Sequence, residues 1–160
     1  SSVRAFGVVV DGVMGGLSTG RIRAGDGTLV FDGEVSLRNN GGFSSMRAPL
    51  PDRSCAGADA LRVRFKGDGR TWIIGTRGVR NLGGDSYWTR FDTIDGEWMD
   101  VVVPIDEMVR TSFGQPLRGR ITPEQVRGIE FYIYDKKSGP FRLEIDSIEA
   151  VSADDAGNQA

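Results

Sequence analysis

Apolar and polar residues alternate with a period of two along much of this chain. In Leu61-Arg62-Val63-Arg64-Phe65-Lys66 the alternation is unbroken. It places Leu61, Val63 and Phe65 towards a core and Arg62, Arg64 and Lys66 towards solvent. The same reading gives strands at Val8–Val10, Arg21–Ala24, Thr28–Leu37, Phe43–Ala48, Thr71–Thr76, Ser86–Thr93, Trp98–Val103, Ile129–Tyr134 and Phe141–Ile148, about ten in all. Gly25-Asp26-Gly27 turns the second run into the third as a hairpin. Leu29, Phe31, Val35 and Leu37 share a face with Gly33, where a bulge or a close backbone approach is expected. Phe43 is expected to pack inwards with Ser45 and Arg47 on its side, leaving Ser44 and Met46 on the other. Helix signals are sparse: one turn over Asp106–Arg110 after Pro104, and Thr122-Pro123-Glu124-Gln125, an N-cap followed by proline. Many short strands with glycine-rich turns predict an all-β sandwich or barrel with helix under about 15%, against the usual third.

The 160 residues suit one domain, expected over residues 1–151, with the small polar stretch 152–160 as a frayed tail. No internal repeat marks a solenoid. A net charge of −2 gives no field to attract nucleic acid or anionic lipid. No apolar run approaches the ~20 residues of a membrane span, and the compartment is left open between cytoplasmic and exported. Arginine outnumbers lysine 17 to 3. That bias fits bidentate anion recognition and equally a plain compositional bias.

Histidine is absent, which removes Ser-His and Cys-His nucleophile chemistry within the chain. Gly16-Leu17-Ser18-Thr19-Gly20 matches a nucleophile pattern by accident, because no histidine can take the Ser18 proton. The single cysteine, Cys55, excludes an intrachain disulfide and reads as a small thiol. Zinc and haem sites need ligands this chain lacks. Asp92, Asp95, Glu97 and Asp100 supply oxygens without the EF-hand spacing, and a solvated acidic hairpin is the plainer reading. Paired-carboxylate hydrolysis and a hard cation held by oxygens survive the missing histidine in principle, but no metal, no cofactor and no catalytic group is expected.

Four segments then bear on identity. Asp11-Gly12-Val13-Met14-Gly15-Gly16-Leu17-Ser18 and Asn39-Asn40-Gly41-Gly42-Phe43-Ser44-Ser45-Met46-Arg47 come first. Trp98 through Val103-Pro104, and Asp135-Lys136 with Gly139-Pro140-Phe141-Arg142-Leu143-Glu144-Ile145, follow. In order and spacing these resemble the signatures of the complex I intermediate-associated protein 30 family, from about Val8 to Ile148. A tryptophan often found before the first signature is missing. The resemblance implies a galactose-binding-domain-like jelly-roll β-sandwich. It also implies a protein-binding role, since the family's named eukaryotic member helps assemble respiratory complex I as a chaperone-like factor. It carries over no catalytic residue.

The signature residues have two readings each. Asp11, Gly16 and Ser18, with Met14 and Gly15 between them, form either a self-bonded rigid loop or the rim of a binding site with Met14 as an apolar contact. Asn39, Asn40, Gly41, Gly42 and Ser45 carry the same ambiguity. An inward Arg47 needs a carboxylate, with Asp11 or Asp146 as the candidates; anion recognition is the other option. Trp72, Tyr87, Trp88 and Arg90 form the densest aromatic and cationic group, fit for a protein hot spot or a sugar platform unless they fill the core. Tyr87 and Trp88 are expected on opposite faces of their strand. The lead expectation is a non-catalytic module that binds a protein, such as a subunit of a membrane respiratory complex. The alternative is a carbohydrate or small-ligand module by fold analogy.

Overall fold

The computed structural model describes residues 6–11, 16–38, 41–78, 86–112 and 114–152. The strands are β1 (Gly7–Val10), β2 (Arg21–Ala24), β3 (Leu29–Val35), β4 (Ser44–Pro49), β5 (Ala60–Lys66), β6 (Thr71–Arg77), β7 (Ser86–Asp92), β8 (Trp98–Pro104), β9 (Val109–Ser112), β10 (Gln115–Pro116), β11 (Gly128–Ile133) and β12 (Gly139–Val151). They form two antiparallel sheets. The seven-stranded sheet runs β1-β4-β11-β6-β7-β9-β10, and the five-stranded sheet runs β2-β3-β12-β5-β8. Late strands β11 and β12 insert between early ones, the long-crossover connectivity of a jelly roll.

The alternating runs explain the layering. From the five-stranded sheet, Phe31, Val63, Phe65 and Leu143 point into the gap between sheets, and Met46, Ile74, Phe131 and Ile133 meet them from the other. Phe31, Trp72 and Phe141 stack at its centre, with ring centroids 4.9–6.0 Å apart. Trp72 satisfies its indole by donating to Asp68 Oδ1 at 2.9 Å. The outer face of the five-stranded sheet is a charged ladder open to water. Asp32 pairs with Arg21 and Arg23, and Arg64 with Asp100.

The β2–β3 hairpin forms as read, closed by Gly25 N–H donating to Thr28 O at 2.8 Å. A β-carbon at Gly33 would lie 2.5 Å from the Thr19 carbonyl oxygen, so the close approach expected there is real. Two expectations are corrected. The turn over Asp106–Arg110 is a 3-10 turn at Ile105–Glu107, and the chain re-enters the sheet as β9 from Val109. Phe43 does not pack between the sheets: Met46 takes that side, and Phe43, Ser45 and Arg47 face away from it. Parity was right and its sign was reversed. The tail expected over 152–160 lies, except for Ser152, outside the described residues.

The fourth signature closes a loop around Arg70. Its Nε and Nη2 donate to the Asp135 carboxylate at 2.9 and 2.6 Å. Its Nη1 donates to the Gly139 and Pro140 carbonyls at 3.1 Å, and its Nη2 also reaches the Lys137 carbonyl.

Candidate functional site

Asp11 is fully buried and joins the first two signatures. Its Oδ1 accepts from Ser18 N–H at 2.9 Å. Its Oδ2 accepts from the Ser18 hydroxyl at 2.5 Å, Gly42 N–H at 2.6 Å and Phe43 N–H at 3.2 Å. Burial pushes the Asp11 carboxyl up, but the Ser18 hydroxyl and the three N–H donors outweigh it and hold the group below its ordinary value. Asp11, Ser18 and Gly42 thus form a self-bonded knot. Gly16 and Gly41 pack against the same carboxylate, and Ser45 donates to the Val9 carbonyl at 2.7 Å. Met14, Gly15, Asn39 and Asn40 lie outside the described residues.

The more unusual chemistry lies on the face of the seven-stranded sheet that points away from the core. Cross-strand register sets Gly7, Arg47, Glu130, Gly75, Trp88 and Val109 in one row. The next row holds Val9, Ser45, Tyr132, Ile73 and Arg90. Glu130, 0% exposed, is the hub. Arg47 Nε lies 3.3 Å and Arg77 Nη1 3.2 Å from its Oε2, and Trp88 Nε1 donates to its Oε1 at 3.3 Å. Arg77 Nη1 also donates to Ser86 Oγ at 2.8 Å. Arg47 donates to the Tyr132 hydroxyl and lies over its ring, 5.1 Å from the centroid. Burial pushes the Arg47 guanidinium down, Glu130 pulls it back up, and Arg77 adds to the lowering.

Gly75 makes the row possible. A β-carbon there would sit 2.7 Å from Glu130 Cγ and 3.1 Å from Trp88 Cδ1. The aromatic rings beside it form one group. Trp88 and Tyr132 are 5.0 Å apart, Phe43 and Tyr132 5.7 Å, and Trp88 and Tyr134 6.3 Å. Arg90 is exposed, its guanidinium 5.6 Å from the Trp88 centroid.

This geometry divides the aromatic and cationic group read from sequence. Trp88 and Arg90 share the outer face, Tyr87 turns towards the core, and Trp72 is buried between the sheets. The opposite-face expectation for Tyr87 and Trp88 agrees with that placement, whereas Trp72 belongs to a different layer. Arg47 has its carboxylate, but it is Glu130. Asp11 is consumed by its N–H donors, and Asp146 sits on the opposite sheet, 3.7 Å from Arg64. Glu130, Arg77, Gly75 and Tyr132 were missed. The available signal was Glu130 itself, the sole charge in Ile129-Glu130-Phe131-Tyr132-Ile133. Asp100 is held by Arg62 and Arg64, and Asp92 by the Thr71 hydroxyl. Among the described residues no three metal-ligating side chains gather, and no helix is long and apolar enough to cross a membrane.

Two antiparallel sheets with this connectivity define an all-β jelly-roll sandwich of the kind found in galactose-binding-like carbohydrate-binding modules. Three solved structures bear this out. The family 11 carbohydrate-binding module of the Clostridium thermocellum cellulase Lic26A-Cel5E superposes with a TM-score of 0.68 at 17% identity, covering 93% of this chain and 88% of that one. The module in complex with a β-1,3-1,4-mixed-linked tetrasaccharide gives 0.64 at 17% identity, over 95% and 93%. A family 29 module mutant gives 0.51 at 14% identity, over 94% and 95%. Within that fold the chain belongs to the Complex I intermediate-associated protein 30 (CIA30) family, whose model matches residues 1–145. The mouse protein "Complex I intermediate-associated protein 30, mitochondrial" is 27% identical over 96 residues, 56% of this chain and 29% of that protein. The match therefore spans less than a third of that relative's length.

Proposed function

We propose that this chain is a non-catalytic binding module whose ligand-binding face is the outer face of the seven-stranded sheet, and that its ligand is a carbohydrate chain. One observation carries the reading. A sheet face outside the core holds Arg47, Arg77 and Trp88 around the one buried carboxylate of Glu130, with Tyr132 and Arg90 beside them. Charges on such a face cost stability when buried, so their placement departs from what folding alone favours. The exposed Arg90 and the half-buried Arg47 offer guanidinium groups to the hydroxyls of a sugar, and the half-buried rings of Phe43 and Tyr134 offer contact for its C–H face, over a Glu130 hub that is buried and internally paired. The similarity of the whole fold to carbohydrate-binding modules, one of them in complex with a β-1,3-1,4-mixed-linked tetrasaccharide, supports the same ligand class.

Affinity electrophoresis through gels containing mixed-linked β-glucan, mannan, galactan or polyuronate tests this. At least one polymer should retard the protein. Arg90→Ala, an exposed change, should abolish the retardation without moving Tm, while Arg23→Ala on the opposite sheet should leave it intact. Free migration through every gel contradicts the carbohydrate reading.

A protein partner, such as a subunit of a respiratory complex, is the second reading. The family match and the mouse relative favour it. So does a groove of about 600 Å³ flanked by the exposed Leu17 and Leu37, because clustered exposed apolar groups mark protein contacts. Leu17→Asp and Leu37→Asp would then abolish partner capture and leave any gel retardation unchanged.

A further inference from the structure

Among the described residues the two sheets end in four edge strands: β1 and β10 in one, β2 and β8 in the other. An edge presents unpaired N–H and C=O groups, and proteins guard such edges with short strands, charge or proline. β1 has four residues, β10 has two with Pro116, and β2 has four with Arg21 and Arg23. β8 is the exception. It runs seven residues, Trp-Met-Asp-Val-Val-Val-Pro. Its one charge, Asp100, turns back onto Arg64 and Arg62 of β5, at 3.0 and 3.7 Å.

Both faces of β8 leave apolar surface open. Trp98 and Val102 on the outer face are each 37% exposed. Met99 and Val101 point towards the core yet are only half-buried, whereas Val63 and Phe65 on neighbouring β5 are 0% and 1% exposed. The core therefore thins at this edge, where Val103 is buried but Met99 and Val101 are covered from one side only.

We propose that β8 pairs antiparallel with β8 of a second copy of this chain, fusing two five-stranded sheets into one. A two-fold centred on Val101 uses all seven residues. Val101 meets Val101, Met99 meets Val103, Asp100 meets Val102, and Trp98 meets Pro104. Centring on Asp100 would set two carboxylates opposite each other, which is unfavourable. With the Val101 centre, the outer-face row reads Arg64, Asp100, then Val102 and Arg62 of the second copy, so each carboxylate keeps its own Arg64 on one side, meets an uncharged Val102 on the other with Arg62 one strand beyond, and no like charges meet. The three guarded edges give the second copy one compatible strand to offer, so the pairing closes as a dimer and does not propagate.

Sedimentation velocity over a wide concentration range tests the proposal. The mass should double reversibly as concentration rises. Val102→Lys, an exposed edge charge, should stay monomeric, with the Tm that the wild type shows at concentrations where it too is monomeric. Residues directly opposite in an antiparallel pair have Cα atoms ~4.5–5.5 Å apart, within disulfide reach. Val101→Cys should therefore form a covalent dimer in oxidised glutathione, while Val109→Cys on the other sheet should not, and Cys55 is buried and stays reduced. Three results overturn the proposal: a wild type monomeric at every concentration, dimerisation unaffected by Val102→Lys, or equal cross-linking at positions 101 and 109. Protection of β8 amides from exchange by an added extended apolar peptide, with the chain itself monomeric, would also overturn it and make the edge a peptide site.

Discussion

Glu130 shows how one side chain organises a face. It accepts from Trp88 and neutralises Arg47 and Arg77 while wholly buried. Glu130→Ala should destabilise the fold by about 3–5 kcal/mol, the usual result of stripping a buried charge of its partner. Glu130→Gln keeps an acceptor for Trp88 and should lose less; urea midpoints at constant m-value will rank the two. Asp11 makes a pH prediction. Its carboxyl is held below the ordinary 3.8, so the unfolded chain takes up the proton first as pH falls. The stabilisation is complete well above 3.8 and is lost as pH drops through the lower, folded value. Asp32 and Asp135 are shifted the same way by their arginines, once burial is overcome. Melting temperature should therefore fall steeply in acid, and Asp11→Asn should flatten part of that limb while lowering stability at neutral pH. That Arg47 has a carboxylate was legible, although the inward placement it was argued from is reversed and the pairing follows from burial on the outer face. The identity of that carboxylate was not, because parity fixes which side a residue takes and says nothing of which distant strand lies alongside.

At the scale of elements, uniform alternation made strands easy to read. Leu61 to Lys66 and Trp98 to Val103 fall inside β5 and β8. β9 and β10 escaped because Val109-Arg110-Thr111-Ser112 and Gln115-Pro116 are too short and polar to show a period, and their place is set by pairing with β7 and with each other. The reversed sign at Phe43 has a related cause. β4 and β11 are buried on both faces, so neither side of the alternation reads as solvent. The loop after β11 is an element held by one side chain. Arg70, bound to Asp135 and to the carbonyls of Lys137, Gly139 and Pro140, acts as its clasp. Arg70→Ala should cost about 1.5–3 kcal/mol, in the range of charge-assisted hydrogen bonds. It should also speed amide exchange selectively at residues 136–139. Arg70→Lys should restore little, since an ammonium cannot reproduce the two-point contact with Asp135.

For the whole molecule, the order of the strands matters more than their number. β12 closes the chain's described fold, yet it lies in the middle of the five-stranded sheet, paired with β3 along one side and β5 along the other. Phe141, Leu143 and Ile145 project from it into the core beside Phe31 and Trp72. Neither β3 nor β5 has another route into one sheet, since no described pairing joins them directly. The early strands therefore cannot complete their hydrogen bonds or bury their apolar faces until the last segment arrives. Two outcomes follow. A chain ending at Ser138 should show no cooperative thermal transition, with its strands unable to pair around the missing centre. The full chain should refold on the millisecond-to-second scale, slowly for its size, because its decisive contacts join residues far apart in sequence. Stopped-flow tryptophan fluorescence reads both: Trp72 sits against Phe141, so its signal should change with the main folding phase and be absent from the truncated chain. Microsecond refolding, or a sharp melt in the truncated protein, would mean that the early strands hold a core of their own and that β12 docks onto it afterwards.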